Sequence, residues 1–447
     1  MNHFKVGFAR NVINPPMGIE IDGYYKIRKV DGILDDLEIN TLALFYKEQK
    51  IVLISVDHCG IETTITNKII DEVSKATGIP ENAVIVGATH THTAPYMRSC
   101  STDQLEINYT NFVIKSAVKS ALLAIDDLKS SNIGWGIGTA PRVAFMRRFR
   151  MKDGSIQTNP GVNNSDIIAP IGDVDERVNV IRFDREDAES IVLVNFGNHP
   201  DTIGGNKASA DWPGFLRRTV EKAIDNSKCI FFNGALGDVN HINVHPKDGE
   251  MNGMVVDFDD VARGYSHAKH IGNVVAGAVL QVYEKVKYVD VNNLNVIKKQ
   301  VQIASNRATK EEIIEAKRIN DLYLAGKDNE LPYEGMMLTT VVAEAARMVL
   351  LENGPDFFTL NMSCLSIGPI ALITIPGEAF TGIGVGLKES SGFDIILPLG
   401  LTNGYEGYFP MQDSYNEGGY EARSSIFKAG VGEYIVKEGK LLLESLR

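Results

Sequence analysis

The chain has 447 residues, of which 44% are hydrophobic and 23% charged, with a formal net charge of −12. This is the composition of a soluble globular protein, with enough chain for one large domain or two to three average ones. The acidic balance excludes a broad nucleic-acid or anionic-membrane partner, which needs clustered Lys and Arg.

No uncharged apolar run reaches transmembrane length, so no stable membrane insertion is expected. The amino terminus, Met1-Asn2-His3-Phe4, leads straight into strand-like sequence. No signal peptide is visible, so a cytoplasmic location is the expectation, or a secreted one if a leader has been removed. Cys59, Cys100, Cys229 and Cys364 lie far apart and form no C-x-x-C pair. Buried free thiols in a reducing compartment are the expectation.

In chain order, Val6 to Pro16 reads as a short strand stopped by a Pro15-Pro16 turn. Thr41–Tyr46 and Ile51–Val56 form a hairpin around Lys47-Glu48-Gln49-Lys50. The second strand ends in Asp57-His58, a carboxylate and an imidazole that fit either a cleft or the cap of the next helix. Ile65, Ile69 and Val73 repeat at helical spacing before Gly78 and Pro80. Ala83 to Val86 returns as a strand and delivers Ala88-Thr89-His90-Thr91-His92-Thr93-Ala94-Pro95. In an extended segment residues i and i+2 share a side, so His90 and His92 suit a metal, or a metal and a substrate oxygen. A hydrogen-bonded pair at a strand end is the alternative. Asn108 to Ile125 then reads as an amphipathic helix.

Arg142, Arg147, Arg148 and Arg150 form the most basic segment. It reads as a solvated loop or as guanidinium donors for a carboxylate or carbonyl oxygen. Ser190 to Asn195 is a strand that runs into Gly197-Asn198-His199-Pro200, and Asp211 is a plausible N-cap for the helix that follows. Cys229 to Asn233 leads to a glycine-bearing loop with Asp238, Asn240, His241, Asn243 and His245. No P-loop lysine accompanies it. The stretch near 300–355 is polar and helical, with a capping box at Thr309 and Glu312. A flap or a homo-oligomer face is the role expected of it. Phe358–Leu365, Ala371–Ile375 and Ile395–Leu399 are strands. They lead to Pro376-Gly377-Glu378 and to the tyrosines Tyr405, Tyr408, Tyr415 and Tyr420.

Strand–helix alternation implies an α/β fold, a mixed sheet core with surrounding helices in a single domain over residues 1–447. Several strand exits each deliver a ligand-type residue: His90/His92, His199, Asn240/His241, Glu378 and Tyr408. No H-E-x-x-H or G-x-S-x-G is present, which argues against a zincin or a serine α/β-hydrolase. The H-x-H precedes the Asn-His pair, the reverse of the metallophosphoesterase order.

The chain resembles the catalytic domain of the neutral/alkaline, non-lysosomal ceramidases. The resemblance is carried by Gly7 to Pro16, Ala88 to Pro95, the arginine segment with Asn159-Pro160, and the His199 loop. It continues through Asn233-Gly234-Ala235-Leu236-Gly237-Asp238-Val239, Pro376-Gly377-Glu378, and Asn403 to Tyr408 with Tyr420-Glu421-Ala422. It implies a hydrolase that uses one zinc to split the amide of an N-acylated sphingoid base, with a small-molecule substrate as the expected partner. It implies His90, His199, Glu378 and Tyr408 as zinc ligands, His92 at the oxyanion or the water, Arg147 at the substrate amide, and Tyr420 in the pocket. Two departures stand out. Asn240 occupies the place of the family serine, with His241 after it as a base, a donor, a second-metal ligand or a plain loop histidine. No carboxy-terminal immunoglobulin-like domain is expected. A metal-dependent lyase or isomerase on a polar, sugar-derived substrate and a non-catalytic binding protein are the other readings.

Overall fold

The computed structural model describes residues 4–25, 27–247, 250, 255–256 and 262–447; Met1 to His3 lie outside them. A nine-stranded mixed sheet occupies the first two thirds of the chain. Its centre is antiparallel. Phe4–Val12 pairs with Glu38–Tyr46, which returns through the expected hairpin as Gln49–Val56. Towards its edges the sheet turns parallel: Gln49–Val56 lies beside Val84–Ala88, and Ser190–Phe196 beside Ser227–Asn233. Parallel neighbours need a crossover, and helices Thr63–Thr77 and Asp211–Ala223 supply it.

A second sheet holds Leu294–Ala304, Phe357–Ile367, Ile370–Thr374 and Ile395–Leu399, the last two parallel around helix Thr381–Lys388. One apolar core joins the sheets. Val52, Ile54 and Ile85 of the first and Leu365, Leu372 and Leu397 of the second all belong to it and are buried. Each such side chain contributes about 1.5–3 kcal/mol relative to exposure.

The polar stretch expected near 300–355 is a helix pair, Lys310–Leu324 and Gly335–Glu352, inserted between two neighbouring strands of the second sheet. Its capping box forms: Thr309 Oγ1 accepts from the Glu312 amide, and Glu312 accepts from the Thr309 amide. The pair has its own small core of Ile319, Leu331, Val342 and Ala345. Cys59, Cys229 and Cys364 are buried, Cys100 is exposed, and all four are free thiols. Among the described residues no helix is long and apolar enough to cross a membrane.

Candidate metal centre

Three parallel strand pairs end at one place. Val84–Ala88 exits into Thr89 and His90, Ser190–Phe196 into Gly197-Asn198-His199, and Ile370–Thr374 into Pro376-Gly377-Glu378. The carboxyl ends of parallel strands are where open α/β sheets place their sites. Backbone bonds stitch the exits together. Asn403 N donates to Val86 O at 2.7 Å, Gly400 N to Asn233 O at 2.9 Å, and Gly234 N to Phe196 O at 3.0 Å. Glu378 and Tyr408 pair directly in a short parallel ladder. His90 sits in the left-handed region at φ 74°, held by its N–H bond to His58 O. That conformation costs a non-glycine residue about 1–2 kcal/mol.

The two imidazoles are oriented by carbonyls. His90 Nδ1 lies 2.6 Å from Cys59 O, and His199 Nδ1 lies 2.9 and 3.0 Å from the carbonyls of Leu236 and Val239. A carbonyl only accepts, so each ring carries its proton on Nδ1 and turns an Nε2 lone pair inward. Both Nε2 atoms face Glu378 Oε2, at 3.5 and 3.1 Å. His199 Nε2 and Glu378 Oε2 are buried without a hydrogen-bond partner. Lone pairs and a carboxylate that converge with no proton between them repel unless a positive charge joins them. The donor set therefore fits a divalent cation, and the ligand atoms of His90, His199 and Glu378 lie within 4.8 Å of one another. Burial and the Arg147 guanidinium push the His199 imidazole down from its ordinary pKa, which favours its neutral form.

Sequence reasoning missed the residue that holds Glu378. The Tyr405 hydroxyl donates to Glu378 Oε1 at 2.8 Å and leaves Oε2 to face the histidines. Tyr405→Phe is expected to weaken metal binding about 10- to 100-fold, the usual cost of losing a ligand's orienting partner. Titration against a competing chelator measures it. Cys59 was also missed as a site residue. Its thiol forms a second cluster with His90 and His92 within 4.8 Å.

His92 stands beside the ligands, with Nε2 3.2 Å from His90 Nε2. Behind it Nδ1 is 3.7 Å from Asp201 Oδ1. Arg263 grips Asp201 at 2.9 and 3.0 Å, and the Tyr24 hydroxyl donates to it. Burial alone would raise the Asp201 carboxyl; Arg263 and the His92 and His241 imidazoles together outweigh burial and hold it well below the usual range. Gly23, at φ 100°, packs on the His92 ring so closely that a Cβ would come within 2.7 Å of Cγ and Nδ1. Gly23→Ala is expected to displace His92 and lower turnover about a hundredfold, the scale of a misplaced catalytic group, with metal content unchanged by elemental analysis.

Arg147 and Arg148 are buried, so the basic segment is not a solvated loop throughout; Arg142 and Arg150 alone keep to the surface. Arg147 Nε pairs with Glu421 at 2.7 Å, and its Nη2 donates to Gly237 O at 2.6 Å and to the Tyr408 hydroxyl at 3.1 Å. Tyr408 and Tyr420 meet edge to face, centroids 5.6 Å apart. His90, His92, Glu378, Tyr408 and Tyr420 line one open cavity of about 250 Å³. His199 and Arg147 stand behind it, against Glu378 and Tyr408. The hydroxyl bonded to a ligand is that of Tyr405, whereas the Tyr408 hydroxyl is bonded to Arg147.

Asn240 and His241 are not among the residues lining that cavity. Asn240 accepts from the Ile242 amide at 3.0 Å and donates to Asn159 at 2.9 Å, joining two loops. His241 is buried, its ring edge to face with His267 at 5.3 Å. Asp57 and His58 prove to be neither cleft nor cap residues. Asp57 binds Arg217 through two bonds of 2.5 and 2.9 Å, His58 Nδ1 lies 2.6 Å from Pro95 O, and Glu62 precedes the helix. Asp211 is the first residue of its helix rather than the cap. Its carboxylate takes the amides of Thr202, Ile203 and Trp212 and so anchors the loop after His199.

No family model matches the chain. It is 30% identical over 115 residues to neutral ceramidase B of Dictyostelium discoideum, a match that spans 22% of this chain and 16% of that protein. In three dimensions it superposes over its whole length on neutral ceramidase from Pseudomonas aeruginosa, with a TM-score of 0.74, 14% identity and 75% of that structure covered. A ceramidase complexed with C2 gives a TM-score of 0.73, 15% identity and 76% coverage, again over the whole chain. The chain has the α/β fold of the neutral ceramidases.

Proposed function

We propose that the chain is a zinc-dependent hydrolase that cleaves the amide bond of an N-acyl compound. The observation that carries this reading is the convergence of two imidazole lone pairs and a carboxylate oxygen, from three strand exits, at one open cavity. Catalytic zinc takes nitrogen and oxygen ligands from separate segments and keeps one position for water or substrate. Bound there, zinc would supply a water of lowered pKa, about 7, and polarise a carbonyl. His90, His199 and Glu378 would hold it, and the resemblance implies Tyr408 as the fourth ligand. The likeness to ceramidases supports the amide as the bond broken.

The chain's own residues do the remaining work. His92 offers Nε2 beside the ligand face as a donor to the developing oxyanion. Arg147, neutralised on its far side by Glu421, orients the Tyr408 hydroxyl towards the same cavity. Residue 240 supplies no nucleophile, since an amide side chain cannot attack a carbonyl. The test is amine release from a panel of N-acyl compounds by chelator-stripped protein before and after zinc is restored. Release only with zinc is expected; a fully zinc-loaded protein that releases no amine from any of them overturns the reading.

A further inference from the structure

We infer that the cavity takes a compact, polyhydroxylated amide of the N-acetylated amino-sugar class rather than a long-chain lipid. The bond broken rests on the amide-hydrolase reading above; what is bound does not.

The wall carries the argument. Six tyrosines, Tyr24, Tyr25, Tyr96, Tyr405, Tyr408 and Tyr420, line the cavity with Asp22, and among its described lining residues there is no aliphatic side chain, phenylalanine or methionine. A hydrocarbon chain pressed on these rings would strip water from hydroxyls without replacing its hydrogen bonds, at a cost of about 1–3 kcal/mol for each one left unsatisfied. A sugar meets both aspects of a tyrosine, apolar C–H faces on the ring and hydroxyls on the polar tip. Two hydroxyls have opposite needs. Tyr405 spends its proton on Glu378 and presents oxygen lone pairs, whereas Tyr408 accepts from Arg147 and has its proton to give. A ligand hydroxyl both donates and accepts, so it satisfies either one.

Size agrees. About 250 Å³ falls just below the roughly 300–1,000 Å³ of sites that enclose drug-sized ligands. A single substituted ring suits it, and most of a two-chain lipid would remain outside. Two exposed apolar residues, Ile27 and Leu324, lie within two residues of Tyr25 and Tyr323, whose rings touch, and neither is among the lining residues. They are the reason to include a lipid in the test.

The experiment uses the full zinc-loaded chain with three probes: N-acetylglucosamine, N-acetylcyclohexylamine, which has the ring and amide but no hydroxyls, and a short-chain ceramide in mixed micelles. Binding is read by calorimetry and cleavage by amine release. N-acetylglucosamine is expected to bind at least about tenfold tighter than the cyclohexyl amide, one or two hydrogen bonds' worth. Tyr96→Phe should reduce that preference roughly fivefold, with zinc content unchanged. Ceramide bound and cleaved while the sugar amide is ignored overturns this inference and leaves the hydrolase reading standing. Sugar amide bound while no amine is released from any N-acyl compound overturns the hydrolase reading and leaves this inference standing. Equal affinity for the sugar and cyclohexyl amides, or no binding of either, overturns the inference.

Discussion

His199→Ala and Glu378→Ala are each expected to abolish metal binding and zinc-dependent activity together. Losing a partner that merely orients a ligand costs about 10- to 100-fold in metal affinity, so losing the ligand itself should cost at least a hundredfold. The two changes act on one arrangement from opposite sides. Alanine at 199 removes the Nε2 lone pair 3.1 Å from Glu378 Oε2, and alanine at 378 leaves two imidazoles facing each other with no charge between them. Elemental analysis after gel filtration measures metal, and amine release measures activity. The fold should persist, because the strand exits are joined by backbone bonds that neither side chain makes. Full metal retained in both variants would remove these residues from the site.

Asp57→Ala should have the opposite profile, a large loss of stability with the metal centre chemically intact. Asp57 and Arg217 are both buried, joined by two bonds, and Glu38 adds a third contact to Arg217 at 3.2 Å. Burial works against the charge on Arg217; the Asp57 and Glu38 carboxylates outweigh it and push the guanidinium up. Removing one partner of such a pair leaves a buried charge uncompensated and costs about 3–5 kcal/mol. Glu38 retains part of the compensation, which places the expected loss at the lower end of that range. Urea denaturation at equilibrium measures it, and the folded fraction should bind zinc as the parent does. A variant with unchanged stability would show that the pair contributes nothing net.

Much of the candidate site could be read from residue order together with the ceramidase resemblance, and the reason for the first is topological. When a buried strand ends in a ligand-type residue, a parallel neighbour brings the next exit alongside it. His90, His199 and Glu378 were visible for that reason. Asp57-His58 had the same appearance, a carboxylate and an imidazole after an apolar run, and turned out structural, because Arg217 comes from a helix whose facing could not be read from spacing. Arg147 and Arg148 looked like loop residues because their partners, Glu421, Ser414 and Glu417, lie more than 260 residues away. Tyr405 was indistinguishable from its neighbour Tyr408. Which tyrosine meets Glu378 depends on the turn at Asn403 and Gly404, with φ of 65° and 141°, and that turn has no periodic signature. Gly23 could not have been found at all, since its role is the space it leaves for His92.

A zinc-edge anomalous diffraction map from crystals grown with zinc locates the metal. One strong peak is expected, bounded by His90 Nε2, His199 Nε2 and Glu378 Oε2 at the floor of the tyrosine-lined cavity. A map with no peak there, or with zinc held elsewhere while these three side chains keep their mutual contacts, would contradict that placement.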